Sequence, residues 1–402
     1  MENKKKIWIV SEVFYPDETS SGYYLTEIAI HLSKYQEINV ICGSSSYEKQ
    51  SNIVSNKKNL PENINVFRVK TLPFNKNKLV SRVFGLLHLT FSFAFKLLLK
   101  VNKNDDVLLV TNPAFLVPII AIFAKIKHFK LRVLVHDVFP ENLVPVNLIN
   151  QHGWAYKLIK KVFNKAYSSS YQIIVCGRDM KVLFEEKIGK SEKDKIVVIE
   201  NWADIDTIFP VKNQNREIYQ NDKLNDKMIF QFAGNIGRLQ GLEEFIDIIK
   251  KCVNPDLHFV FIGEGALKNF LKEKAVGMSN VTFMPSFNRN QQDIFLNACD
   301  VGIVSLYDSM LGLGVPSKSY NIIAAGKPIL FLGNKDSEIS LMLHEHNIGW
   351  QFELTQFEDI VNFLNNFCIE EAYLKGKNSR IVAETKYAKN NILDKYRDLV
   401  TN

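Results

Sequence analysis

Residues 228–245 read MIFQFAGNIGRLQGLEEF. The first six are apolar apart from Gln231, rich in aromatic residues and of strand length. Gly234, Gly237 and Gly241 then punctuate a loop around Arg238, and the following residues begin a helical pattern. A strand feeding a glycine-bearing turn and then a helix is the repeating unit of a doubly wound α/β sheet. The glycine spacing departs from the dinucleotide fingerprint G-x-G-x-x-G.

The same alternation runs outward in both directions. Toward the carboxy terminus LHFVFIGEG (257–265), VTFMPS (281–286), VGIVSLY (301–307), PILFLG (328–333) and GWQFEL (349–354) read as strands. Helices are expected between them near 241–252, 265–274, 290–298, 317–325, 337–345 and 356–366. Toward the amino terminus KIWIVSEVF (6–14), INVICGSS (38–45), NVFRVKTL (65–72), DVLLVTNP (106–113), LRVLVHDV (131–138), YQIIVCG (171–177) and KIVVIEN (195–201) do the same. Their helices are expected near 22–35, 81–101, 115–127, 153–168 and 178–188. At 402 residues the chain suits two domains rather than one core. The expected division is 1–205, 206–385 and a last helix within 386–402, with the polar stretch 204–227 as linker. Two such sheets are expected to face a central cleft at their strand carboxyl ends.

Composition narrows the class. The chain carries net charge +7, unevenly placed. Residues 1–200 hold 29 Lys and Arg against 18 Asp and Glu, whereas residues 201–402 hold 21 against 25. A basic half beside a mildly acidic half points to one anionic surface as partner. No nucleic-acid motif accompanies the charge, so a membrane fits it better than a nucleic acid. The segment SRVFGLLHLTFSFAFKLLLK (81–100) is interrupted by His88, Ser92 and Lys96 and falls short of a membrane span. Phe84, Leu87, Phe91 and Phe95 could enter a lipid surface while Lys76, Lys78, Arg82, Lys96 and Lys100 meet headgroups; burial of the helix against a sheet is the equal alternative. The five cysteines are far apart, which favours reduced, buried thiols in a cytoplasmic compartment over disulfides or zinc.

Unusual loops recur at the expected strand ends. Gly22 follows the first strand and could let backbone approach a ligand. LRVLVHDV followed by FPEN puts His136, Asp137 and Glu141 at a strand's exit. Asn235, Arg238 and Gln240 follow MIFQFAG, and Gly263 ends LHFVFI. The stretch GLGVPSKSYNIIAAGKP (312–328) sets Gly312, Gly314, Ser317 and Lys318 at a turn before a short helix, a suitable place for a diphosphate.

In order and spacing, FYPDETSSG, TNPAF, HDVFPEN, VIENWAD, FAGNIGRLQGLEEF, GEGALKNFL, ACDVGIVSL and VPSKSYNIIAAGKP resemble the retaining glycosyltransferases of family 4 with the GT-B fold. The likeness is greatest to the bacterial surface-polysaccharide branch with the colanic-acid and O-antigen enzymes. The resemblance implies a second domain that binds a nucleotide sugar, most often UDP-linked, and a first domain that binds the acceptor. It implies a last helix that crosses back to the first domain. Arg238 and Lys318, with the Gly312–Gly314 backbone, would hold the leaving diphosphate. Asp137, with His136 or Glu141, would orient or deprotonate the acceptor hydroxyl, and Asn201 and Trp202 would shape the hinge.

This chain departs from the family's E-x7-E glutamate pair, for Leu313 and Asn321 stand at the two positions. Asn321 could still hydrogen-bond a ribose hydroxyl. Glu338 could replace the lost carboxylate, or could simply open a helix capped by Asp336 or Ser337. Gln240 stands where the family usually has a basic residue. Asp204-Ile205-Asp206 matches a metal-binding D-x-D string but is read as a helix cap, so neither metal nor cofactor is expected. The implied enzyme is a hexosyl- or N-acetylhexosaminyl-type transferase acting on a lipid-linked or glycan acceptor, peripherally attached inside the plasma membrane. A nucleotide-sugar epimerase or hydrolase, or a non-catalytic partner subunit, are the alternatives.

Overall fold

A computed structural model describes residues 5–17, 19–44, 60–70, 79–211 and 216–401. The chain divides into two compact units. Unit 1 comprises 1–176, 180–199 and 393–402, and unit 2 comprises 177–179 and 200–392.

Unit 1 opens with β1 (Ile7–Ser11), α1 (Ser20–Ser33), β2 (Ile38–Gly43), β3 (Ile64–Val69) and α2 (Leu79–Lys100). It continues with β4 (Asp106–Val110), α3 (Leu116–Lys127), β5 (Lys130–Val135) and α4 (Trp154–Ser169), then β6 (Gln172–Val175), α5 (Arg178–Ile188) and β7 (Ile196–Val198). The strands form one parallel sheet in the order β3-β2-β1-β4-β5-β6-β7. Every residue of β1, β2 and β4 is buried. That is why these strands read as continuous apolar runs and not as alternating ones. Right-handed crossovers put α1 on one face of the sheet and α2, α3 and α4 on the other. Helix α3 packs against both α2 and α4.

Unit 2 begins its sheet with β8 (Met228–Ala233), α6 (Leu242–Lys251), β9 (Leu257–Ile262), α7 (Lys268–Lys274), β10 (Val281–Met284) and α8 (Gln292–Ala298). Then come β11 (Val301–Ser305), α9 (Lys318–Ala324), β12 (Ile329–Leu332), α10 (Glu338–His346), β13 (Gly349–Phe352), α11 (Phe357–Asn365) and α12 (Ile369–Thr385). The parallel order is β10-β9-β8-β11-β12-β13. Along β12, Ile329 and Phe331 enter one core cluster while Leu330 and Leu332 enter the other. Both faces are therefore covered, as a doubly wound sheet requires. The last helix, α13 (Lys389–Thr401), has its final residues in unit 1, where Asp394 bonds His31 Nε2 at 3.0 Å and the Val400 carbonyl accepts from Lys5 at 2.9 Å.

All thirteen expected strands and, among the described residues, twelve of the thirteen α-helices stand where the apolar pattern places them. Helix α12 was not anticipated. It buries Ala372, Gly376, Ser379 and Ala383 together with Lys375 and Val382, and exposes Ile369, Tyr373, Leu374 and Ile381. A Cβ on Gly376 would stand 2.6 Å from the Gly326 carbonyl oxygen. Close approach selects small residues on the inner face, which reverses the usual apolar signal.

Three other expectations change. The described residues of the expected linker 204–227 fall within unit 2. Arg216 bonds Asp300 at 2.7 Å, Tyr219 donates to Gln231 at 2.9 Å, and both anchor that segment to unit 2. Asp204 opens a turn, not a helix, its carbonyl accepting from Ile208 at 2.9 Å. Of the cysteines, Cys42, Cys176 and Cys299 are buried, but Cys252 is partly exposed and Cys368 exposed; none is disulfide-bonded.

Candidate functional site

The chemistry-bearing loops of unit 2 converge at the carboxyl ends of β8 and β9. Gly234 adopts φ 146° and donates to the Ile262 carbonyl at 2.9 Å. Gly263 also has φ 146°, and a Cβ there would stand 1.8 Å from the Gly234 oxygen. The two loops are thus pressed backbone to backbone and joined further by Ile236 N–H to the Glu264 carbonyl at 2.8 Å. Only glycine fits both the dihedral and the approach. Gly263→Ala is expected to destabilise unit 2 by about 3 kcal/mol or more. The urea midpoint measures this, and an unshifted midpoint would refute the loop contact.

Gln240 has a local task. Its side chain accepts from Gly237 N–H at 2.9 Å and closes the loop. That leaves Arg238 and Asn235 exposed at the rim. Among the described residues no carboxylate pairs with Arg238.

Lys318 begins α9, and its Nζ lies 3.4 Å from the centroid of the Phe232 ring. A Cβ on Gly234 would come within 3.8 Å of the same nitrogen. No described carboxylate offsets the ammonium, so burial alone acts on it and pulls its pKa down to about 7. A cation held against an aromatic face beneath a glycine loop is a strong attractor for an anionic ligand.

The other candidates of this unit are already engaged. Gly312 N–H donates to Asp179 Oδ2 at 3.3 Å and Leu313 N–H to the Met310 carbonyl at 3.0 Å, so two of the three amides expected to cradle a diphosphate hold the turn itself. Gly314 and Ser317 complete the turn before Lys318 and are partly buried. Asn321 is buried, its Oδ1 accepting from Asp204 N–H at 3.3 Å and its Nδ2 donating to Gln292 at 3.0 Å. Glu338 is buried and both of its oxygens accept from Arg178, through N–H at 2.7 Å, Nε at 3.0 Å and Nη2 at 3.0 Å. Burial pushes its carboxyl up and Arg178 opposes the shift. This carboxylate therefore fixes the Gly177–Asp179 turn, and Ser337 caps its helix by accepting from Ser340 N–H. Arg178 was not foreseen, because its partner lies 160 residues away.

In unit 1, β4 and β5 end side by side. Thr111 Oγ1 accepts from the N–H groups of His136 at 3.3 Å and Asp137 at 3.4 Å. His136 Nδ1 lies 3.3 Å from Ser21 Oγ, and burial pulls its pKa down to about 4, so the ring is neutral at pH 7. Asp137 is exposed as a residue, and burial around its carboxyl raises it above the ordinary range. Gly22 serves its own loop. Its N–H donates to the α1 cap Thr19 at 3.2 Å, and a Cβ would stand 2.6 Å from the Asp17 oxygen.

Glu141 is a correction. Both carboxylate oxygens sit 2.6 Å from Lys187 Nζ, with Lys160 at 3.5 Å. The Lys187 side chain is 1% exposed, and burial pulls its pKa down against the pull of Glu141. An interior cation needs this carboxylate, which is accordingly not free to serve an acceptor. Among the described residues no group of three His, Cys, Asp or Glu side chains could hold a metal ion.

Known proteins place this geometry. The family model for glycosyl transferases group 1 matches residues 213–371. WbjE of Pseudomonas aeruginosa, named as a glycosyltransferase, is 33% identical over 394 residues, covering 97% of this chain and 96% of its own. WcaI of Escherichia coli K12, named as a colanic acid biosynthesis glycosyl transferase, is 24% identical over 341 residues, covering 80% of this chain and 81% of its own. The crystal structure of Anabaena HepE in complex with UDP has a TM-score of 0.71 at 15% identity, covering 98% of this chain and 99% of that one. With two doubly wound units and a relative of this identity along nearly its whole length, the chain belongs to the group 1 glycosyl transferases and is a glycosyltransferase of the GT-B fold.

Proposed function

We propose that the chain moves a sugar from a UDP-linked donor, bound by unit 2, to a lipid-linked or glycan acceptor bound by unit 1, in the synthesis of bacterial capsule, O-antigen or exopolysaccharide. Transfer retains the anomeric configuration and needs no metal. The observation that carries this reading is Lys318, a cation with no carboxylate partner among the described residues, set on the Phe232 ring beneath Gly234. A departing diphosphate develops negative charge as the glycosidic bond breaks, and Lys318 with Arg238 supplies the stabilisation. Neutral His136 and the adjacent Asp137 are the groups that can accept the acceptor's proton or hold its hydroxyl. The names of WbjE and WcaI and the UDP held by HepE support the substrate class.

The enzyme works peripherally at the cytoplasmic face of the plasma membrane. No described helix is long and apolar enough to cross a membrane. In α2 one line of residues, including Leu89, Phe93 and Leu97, is buried in the core, while the exposed Leu87, Phe91 and Phe95 support the membrane reading. Lys96 turns inward to the Arg68 carbonyl at 2.6 Å, and Lys100 is exposed. Lys76, Lys78 and the side chains of Arg82 and Phe84 lie outside the described residues.

Calorimetry with nucleoside diphosphates tests the donor side. UDP should bind, and Arg238→Ala should weaken it by roughly tenfold through loss of one charge-assisted contact. No affinity for any uridine nucleotide would reject a UDP donor. Rapid UDP release from UDP-sugars without an acceptor would favour a hydrolase.

A further inference from the structure

Helices α2, α3 and α4 lie side by side on one face of the unit 1 sheet. Each turns large apolar side chains outward. On α2, Phe91 and Phe95 are 63% and 64% exposed and Leu99 continues their line. On α3, Ile122 and Ile126 stand out to solvent. On α4, Trp154 is 79% exposed, followed by Leu158 and Val162. The four-residue spacing sets each group on a single outward line of its helix. The inward lines hold Phe93, Ile120 and Phe163 in the core. Single exposed apolar residues need no account, but three neighbouring rows do.

The charge is as one-sided as the hydrophobicity. These three helices contain nine Lys and Arg and no Asp or Glu, with Lys96, Lys127 and Lys160 bonded within the unit and Lys100, Lys157, Lys161 and Lys165 exposed. Along α4 the exposed line interleaves Trp154, Leu158 and Val162 with Lys157, Lys161 and Lys165. Among the described residues no carboxylate pairs with those three lysines. A protein partner is poorly matched to such a face, since lysine is depleted at protein interfaces. An anionic bilayer matches it in both respects. Its headgroups take the ammonium ends while the acyl boundary takes the aromatic and branched side chains.

We propose that the outward faces of α2, α3 and α4 form one docking surface for an anionic lipid bilayer, with Trp154 as its interfacial anchor. The proposal extends the membrane reading of α2 and rests on it. It places the acidic-lipid contact on α4 as much as on α2.

Trp154 is also the reporter, because Trp8 and Trp202 are buried and Trp350 is partly buried. Mixed phosphatidylglycerol and phosphatidylcholine vesicles should shift its emission to the blue and protect it from acrylamide. Added salt should weaken the effect. Trp154→Asp with Leu158→Asp should lower co-sedimentation with these vesicles by roughly tenfold or more, as should Phe91→Asp with Phe95→Asp. An unchanged unfolding midpoint certifies that each variant is folded. If the α4 variant sediments as wild type does, the extended surface is refuted and the α2 reading survives. If wild type itself stays in solution, both fall. Equal binding to pure phosphatidylcholine would overturn the anionic match. A lipid-free dimer dissolved by the α4 substitutions would assign the face to a second copy.

Discussion

Lys318→Met is expected to slow sugar transfer on the order of 100-fold or more, while making the empty protein more stable. The two effects share one cause. The ammonium sits against the Phe232 ring with burial acting on it and no carboxylate to offset the loss of water. Its pKa in the folded protein, about 7, is below that of an exposed lysine. The unfolded chain therefore binds the proton more tightly, and the residue opposes folding. That opposition is full below about pH 7 and disappears as pH rises from there toward the unfolded value near 10.5. Methionine keeps the length and the aromatic contact without the charge, so the gain in melting temperature should be largest at or below pH 7.

The same titration governs the donor. A diphosphate favours the charged amine, so nucleotide affinity should fall as pH rises through about 7 and beyond. Binding at mildly alkaline pH should take up a proton, seen as a heat that depends on the buffer. Lys318→Met should abolish that dependence. Unchanged turnover in the variant, or a melting temperature that fails to rise, would remove Lys318 from the diphosphate site.

Glu141→Gln is expected to destabilise the protein by about 3 kcal/mol or more, because it leaves Lys187 buried without its counter-charge. The pair is close, with both oxygens 2.6 Å from Nζ. A loss of activity alone would not separate catalysis from folding. The double variant Glu141→Gln with Lys187→Met does. Removing both charges takes away the unmatched cation, so stability should largely return. Transfer should return with it if Glu141 only supports the loop behind His136 and Asp137. A stable double variant that remained inactive would restore Glu141 to the reacting groups.

The positions of the elements were legible because their causes are local. Burial of β8 on both faces demands an unbroken apolar run, and the chain can leave the strand at Gly234 and meet β9 at Gly263 only where no Cβ stands in the way. Those requirements are written in neighbouring residues. Lys318 drew notice for a similar local reason, as the cation that follows the Gly-Val-Pro-Ser turn at the start of a short helix. Helix α12 escaped because its inner face is selected for smallness, not for apolarity.

The carboxylates were another matter. Glu141 and Glu338 each follow a strand end in the order expected of a ligand-facing loop, and by residue type either could serve a sugar. Their partners, Lys187 and Arg178, are 46 and 160 residues distant in the chain. Whether a carboxylate is free depends on which cation the fold carries to it, and Coulomb attraction has no memory of sequence separation. The architecture of two wound sheets, and the loops that bear chemistry, were set by local pattern. Which charges in those loops stay unpaired was settled only when the chain closed around them.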